Sequence, residues 1–215
     1  WAGNKQTDYC SPVLSKNFNF DKKNFIHLFK EVIKEIKNID VIHFIKQPEY
    51  INGLKNPFTF FLNNYEDSKT YYISLPQKWD EYKNEVLKKD FNLKNLRQKK
   101  SLKKLGNLKF KIATSESTKT RHLNELFAQK NISLASMNIK NLLQSRDFQF
   151  YKEFEKKNLN NIKTHLSSLI LNDELIAIHW GIIYKKRFYY LLPSMKVGKL
   201  NKYSPGRLLI ALLIR

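Results

Sequence analysis

Apolar residues first recur at helical spacing after Asp21. Phe25, Leu28, Phe29, Val32, Ile33 and Ile36 share one face, with polar residues between them, and predict an amphipathic helix reaching about Lys37. Asp21 ahead of it is a capping residue. The irregular stretch before it, residues 1–20, carries loop formers. Val41 to Ile45 is a short β-rich run, expected to be a strand buried on both faces. Phe58 to Leu62 and Thr70 to Ser74 read as strands across an Asn63-Asn64-Tyr65-Glu66-Asp67 turn. Leu75-Pro76 predicts a helix with proline in its first turn and Trp79, Tyr82 and Val86 as its stripe. Leu93, Leu96, Leu102 and Leu105 give a further helix, stopped by Gly106. Leu108 to Ile112 alternates as a strand. Ser117 and Thr118 can cap a helix carrying Leu123, Leu126 and Phe127, and one more helix is expected between Asn141 and Lys157. His165–Ile170, Leu175–Tyr184 and Arg187–Leu192 read as three strands that turn at Asn172-Asp173 and Lys185-Lys186, an antiparallel meander. A loop from Pro193 to Ser204 then feeds an apolar helix from Pro205.

This mixture predicts an α/β or α+β fold with a mixed sheet, not a bundle or a sandwich. At 215 residues and 42% hydrophobic content the chain can bury a sizeable core. No apolar run reaches the roughly 18 residues of a membrane span, and a cytoplasmic location is expected. The single Cys10 excludes an internal disulfide framework and a cysteine-based zinc site. The chain opens at Trp1 and closes on the uncapped apolar run Leu208–Arg215, so a fragment of a longer protein is expected.

Charge changes the picture in one place. The net charge is +20, from 39 Lys and Arg against 19 Asp and Glu, but only six of the 39 are Arg. Phosphate clamps and groove readers favour Arg forks, so much of the charge reads as compositional. Between Lys83 and Arg121, however, thirteen basic residues face three acidic ones. The helix around Lys94–Lys104 is therefore basic and amphipathic. It suits either an anionic ligand or an ordinary solvated surface.

The chemistry concentrates in Asn201-Lys202-Tyr203-Ser204-Pro205-Gly206-Arg207-Leu208-Leu209. Ser204 suits an N-cap and Pro205 the first helical position. Gly206 leaves the first-turn amides open to a ligand, and Arg207 adds a cation. Such a helix start takes a phosphate or diphosphate; a plain capped helix is the alternative.

The order of these pieces resembles the GNAT acetyltransferases of the CelD type, linked to cellulose and exopolysaccharide biosynthesis. The resemblance rests on Leu175-Ile176-Ala177, on Arg187-Phe188-Tyr189-Tyr190-Leu191-Leu192-Pro193 and on Tyr203 to Leu209. Leu75-Pro76 with Trp79 and the basic helix resembles the linker between the tandem halves of FemAB-type transferases. Trp1-Ala2-Gly3 with Asp8-Tyr9-Cys10-Ser11-Pro12 resembles a first half's phosphate loop. The resemblance implies residues 1–74 as part of a first half, 75–106 as a basic linker and 107–215 as part of a second. It implies acyl transfer from acetyl-CoA or another acyl-CoA to a small-molecule or carbohydrate amine or hydroxyl, with Tyr203, Ser204, Gly206, Arg207 and Leu208 holding the coenzyme. The loop has one glycine where the family pattern has two. A FemAB-like aminoacyltransferase using charged tRNA and a non-enzymatic polyanion-binding module are the competing readings.

Acyl transfer to an amine needs a base and a proton donor for the leaving thiolate. His179 alternates with the small Ala177 and Gly181 and is the candidate base, with a buried, hydrogen-bonded histidine as the alternative. Tyr190 and Tyr203 are candidate donors, though either can equally be a packing residue. Asp40 and His43 can belong to a first-half site. Cys10 has no base beside it in sequence, and Glu174 reads as a turn residue.

Overall fold

The computed structural model describes residues 10–15, 17, 21–51, 53–61, 71–87, 89–139, 143–157 and 159–215. Two compact units divide the chain, Trp1–Ile73 and Ser74–Arg215.

In the first unit, α1 (Lys22–Lys34) starts where expected. Asn24 donates its backbone N–H to Asp21 Oδ1 at 2.8 Å, which satisfies one of the free amides of the first turn. Phe25 and Phe29 of α1 meet Phe58 and Phe61, and Phe44 stacks on Phe58 at 4.7 Å. A two-residue hairpin, β1 (Tyr50–Ile51) and β2 (Leu54–Lys55), is the only pairing among the described residues of this unit. The strand expected at Val41–Ile45 is absent: no neighbour offers it a ladder, and Val41 is 82% exposed. The strand expected at Phe58–Leu62 is a 3-10 helix over Pro57–Phe61. Its cause is the buried Asn56, whose Oδ1 accepts the Phe58 N–H at 3.1 Å while Thr59 Oγ1 donates to the Asn56 carbonyl at 2.6 Å. Residues 71–74 form no strand. Leu62 to Thr70, including the expected Asn63–Asp67 turn, and Trp1 to Tyr9 lie outside the described residues.

The second unit begins with α2 (Trp79–Glu81), continued by one wide turn to Val86. Pro76 precedes this helix rather than opening it. The basic helix is α3 (Lys89–Lys104). It is followed by β3 (Leu108–Ile112), α4 (Glu116–Ser136), α5 (Ser145–Lys156), β4 (Ile162–Leu171), β5 (Glu174–Tyr184), β6 (Arg187–Met195), a short 3-10 turn at Asn201–Tyr203 and α6 (Pro205–Leu213). The cap of α4 is Ser115, not Ser117 or Thr118. β6 runs on to Met195, so the loop before α6 is shorter than expected.

The meander is present, and β3 joins it on the far side of β4, giving the order β3-β4-β5-β6. Every pairing is antiparallel, so the sheet is not a mixed one, although the helix-and-sheet class holds. Both hairpin turns place two residues at positive φ, Asn172 and Asp173 at 49° and 65°, Lys185 and Lys186 at 46° and 64°. Those paired left-handed residues match the twist of the strands they join. Asn172 also anchors the end of α3: its Oδ1 accepts the Asn107 N–H at 2.8 Å and its Nδ2 donates to the Leu105 carbonyl at 3.2 Å. The same side chain occupies the space a Cβ on Gly106 would need.

One face of the sheet packs Leu166, Ile170, Ile178, Trp180 and Leu192 against Leu123, Leu126 and Phe127 of α4 and Tyr151 of α5. The other packs Leu169, Leu171, Ile176 and Ala177 against Leu102 of α3 and Leu208 and Leu209 of α6. Glu155 ties α5 to the first face. Its buried carboxylate accepts from Trp180 Nε1 at 2.6 Å and Thr164 Oγ1 at 2.9 Å and pairs with Lys119 at 2.9 Å. Glu155→Ala should cost about 3 kcal/mol, because three donors are left with one solvated alternative at best. Chemical denaturation reads this; a loss under 1 kcal/mol would mean the network is not needed.

Candidate functional site

The loop from residue 196 to 204 turns the chain from the end of β6 into α6. Ser204 takes a left-handed conformation, φ 48° and ψ 58°, which few residues other than glycine adopt. Its hydroxyl does not cap the helix, contrary to expectation; it accepts from Gln98 Nε2 at 3.4 Å. Pro205 has no N–H. No backbone hydrogen bond is made by the amides of Gly206 and Arg207, and the first one that closes is Leu208 N–H to the Ser204 carbonyl at 3.1 Å. Two free amides thus meet at the positive end of a nine-residue helix. A Cβ on Gly206 would meet only Met195 Sδ at 3.6 Å, so packing does not demand glycine there. Its absence leaves the amides accessible.

The expected coenzyme residues therefore divide. Ser204, Gly206 and Arg207 surround the free amides. Tyr203 packs its ring towards the second core, with Lys202 Nζ 5.1 Å from it. Leu208 is 2% exposed in that core and its amide is spent, so it positions the helix and has no group left for a ligand. The Arg207 guanidinium lies over Phe91 of α3 at 5.3 Å and donates to Asn95 and Gln98. Among the described residues no carboxylate neutralises it, and none of the cations of α3 has an ion-pair partner.

β6 is the edge of the sheet among the described residues. Its register against β5 shifts between Trp180, opposite Leu192, and Gly181, opposite Tyr190. Leu191 is the extra residue, and its backbone is left out of the ladder. From this bulge the open edge runs about 7 Å to Pro193, which has no N–H and whose carbonyl accepts from Lys130 Nζ at 3.3 Å. An extended ligand with amides of its own can lie along such an edge.

Beside the bulge, on the face shared with α6, stand His165, Ser167, His179, Phe188 and Tyr190. His179 stacks on Tyr190 with centroids 4.0 Å apart and planes 6° from parallel. His165 lies 6.5 Å from His179, and Phe188 contacts both. Gly181 makes room for the His179 imidazole: a Cβ there would lie 2.6 Å from His179 Cε1. Both ring nitrogens of His179, His165 Nε2 and Ser167 Oγ are buried without a hydrogen-bond partner. Burial first, and the neighbouring His165 second, push the His179 imidazole down to about 3. Burial pushes the Tyr190 hydroxyl up to about 12, even though 36% of the residue's surface is exposed at the sheet edge. At pH 7 the imidazole is neutral and the phenol protonated.

The structure thus brings His179 and Tyr190 together, with two groups the sequence reading missed, His165 and Ser167. Their only signal was register: each falls opposite Gly181 or His179 once β4 and β5 pair. Asp40 and His43 are exposed in irregular chain. Cys10 is buried, its N–H donating to the Lys46 carbonyl at 2.9 Å. Glu174 pairs with Lys196. A separate open depression of about 1110 Å³ lies over the start of α4, lined by Glu116, Ser117, Thr120, Arg121, Asn124 and Asp173 among others. No described helix is long and apolar enough to cross a membrane.

A family model described as an acetyltransferase (GNAT) domain matches residues 92–215. No curated protein matches the chain.

Proposed function

The chain belongs to the GNAT acetyltransferase family, and we propose that it moves an acetyl group from its co-substrate acetyl-CoA to an amine or hydroxyl of a carbohydrate or cell-envelope precursor. The observation that carries this reading is the pair of free amides at the head of α6, beside Ser204 and Arg207 and at the end of a bulged edge strand. That donor set fits the coenzyme: amides, a hydroxyl and a guanidinium without a counter-ion suit a diphosphate. When bound, the coenzyme supplies an activated acyl thioester.

The protein's own groups do the rest. Gly206 and Arg207 amides, Arg207 and Ser204 hold the diphosphate, and the free edge of β6 orients the extended arm. Tyr190 keeps its proton at pH 7 and donates a hydrogen bond towards the leaving sulfur. With a pKa near 12 against about 8.5 for an ordinary thiol, it stabilises the thiolate mainly by that bond rather than by full transfer. His179, held neutral and fully buried, stacks on Tyr190 and orients the phenol; the proton of the attacking amine or hydroxyl passes to water. The carbohydrate acceptor is supported by the CelD-type resemblance of the Leu175–Ala177, Arg187–Pro193 and Tyr203–Leu209 segments.

Arg207→Glu should weaken acetyl-CoA binding at least tenfold by isothermal titration, since it replaces the cation with a charge that repels phosphate. Unchanged affinity would remove Arg207 from the site. The uncompensated cations of α3 favour one further reading, a FemAB-like aminoacyltransferase with the two-half organisation described above. That reading requires tRNA binding that weakens steeply with salt; salt-independent or absent binding excludes it.

A further inference from the structure

Asn95 and Gln98 of α3 stand at the head of α6. Asn95 is only 6% exposed. Its Oδ1 accepts from Arg207 Nε at 3.2 Å, while its Nδ2 is buried with no partner. Gln98 Oε1 accepts from Arg207 Nη2, and Gln98 Nε2 donates to Ser204 Oγ at 3.4 Å. One glutamine thus holds the two side chains that flank the free amides, and Phe91 lies under the guanidinium. The orphaned amide donor belongs to the side chain that holds Arg207, and the Arg207 backbone amide is one of the two free ones.

We propose that Asn95 and Gln98 form a second wall of the phosphate site, positioning Arg207 and presenting the spare Asn95 amide to the diphosphate of the coenzyme. This rests on the acetyl-CoA reading above. The choice of side chain is the argument. A carboxylate at either position would grip Arg207 more strongly, by a charge-assisted pair, but would cancel its charge. Neutral amides hold the guanidinium by hydrogen bonds and leave its charge to an incoming anion. A guanidinium has five N–H donors; two are spent on α3 and three remain. The buried Nδ2 is costly to leave unpaired unless a ligand completes it.

The test is titration of coenzyme A into wild type, Asn95→Asp and Gln98→Glu, with melting curves and acetyl-CoA kinetics on the same proteins. The carboxylate variants should melt at or above the wild-type temperature yet bind coenzyme A at least tenfold more weakly. KM for acetyl-CoA should rise in step while kcat holds. Carboxylates that bind as wild type would show that α3 merely packs against α6, and would overturn the inference while leaving the coenzyme site standing. Wild type that does not bind coenzyme A overturns both. Gln98 is partly exposed, so Gln98→Glu carries the test if the buried Asn95→Asp does not fold.

Discussion

Lowering the pH from 7 to 4.5 should destabilise the protein by about 3 kcal/mol through His179 alone. The ring is fully buried and takes a proton only near pH 3, whereas in the unfolded chain it does so near 6.5. Between those values the unfolded state binds more protons, so stability is present above about pH 6.5 and is lost as pH falls towards 3. The span of 3.5 units corresponds to about 5 kcal/mol, and the first two units to about 3. His165 and His122 are also lowered, chiefly by burial, and act in the same direction. For His122 burial outweighs the Thr118 carbonyl, which by itself favours the charged ring. Its Nδ1–H donates to the Thr118 carbonyl at 2.8 Å, and its Nε2 accepts from Ser168 Oγ at 2.7 Å, a pairing that suits the neutral ring. Urea denaturation of wild type and His179→Leu at the two pH values isolates the larger contribution. The variant should lose some 2–3 kcal/mol less on acidification; an equal loss in both proteins would remove the histidine from the account.

Gly181→Ala should be the most damaging single-methyl change in the sheet. The new Cβ would lie 2.6 Å from His179 Cε1 and closer still to the Tyr189 carbonyl oxygen, which belongs to backbone and cannot swing aside. A cost of about 3 kcal/mol or more is expected, lowering the melting temperature by roughly 6–12 °C. Near-UV circular dichroism should report a displaced Tyr190, since its stacking partner must move. A variant that melts with the wild type would mean that the strands can part without cost.

Much of this second unit was legible in the sequence because its signals are local. Alternation in Leu108–Ile112, turn pairs such as Asn172-Asp173 and the proline opening of α6 each need only a few neighbouring residues to be read. The first unit was less legible for the same reason turned round. Val41–Ile45 has the composition of a strand, but strandhood is completed by a partner edge, and none is there among the described residues. Phe58–Leu62 has it too, yet one asparagine two residues upstream redirects the backbone. At the site, the small residues beside His179 pointed to open space for a ligand, but the space at Gly181 is filled by the imidazole itself and by the Tyr189 carbonyl. His165 and Ser167 reach it only through cross-strand register, and Asn95 and Gln98 reach Arg207 across 112 and 109 residues. The pattern of lysines on α3 drew attention to its charge, while the residues that hydrogen-bond to Arg207 of α6 are its neutral amides.

Pro193 lies in β6 opposite His179. Having no N–H, it can occupy only a position whose backbone groups face away from β5, and so it removes a donor from the outer rim of the sheet. The acceptor beside it is also taken, because Lys130 Nζ donates to the Pro193 carbonyl at 3.3 Å. A foreign strand that tried to anneal to this rim would find the register blocked at one step. Among the described residues this rim is thus a poor template for a foreign strand, and replacing Pro193 with valine would restore the missing donor.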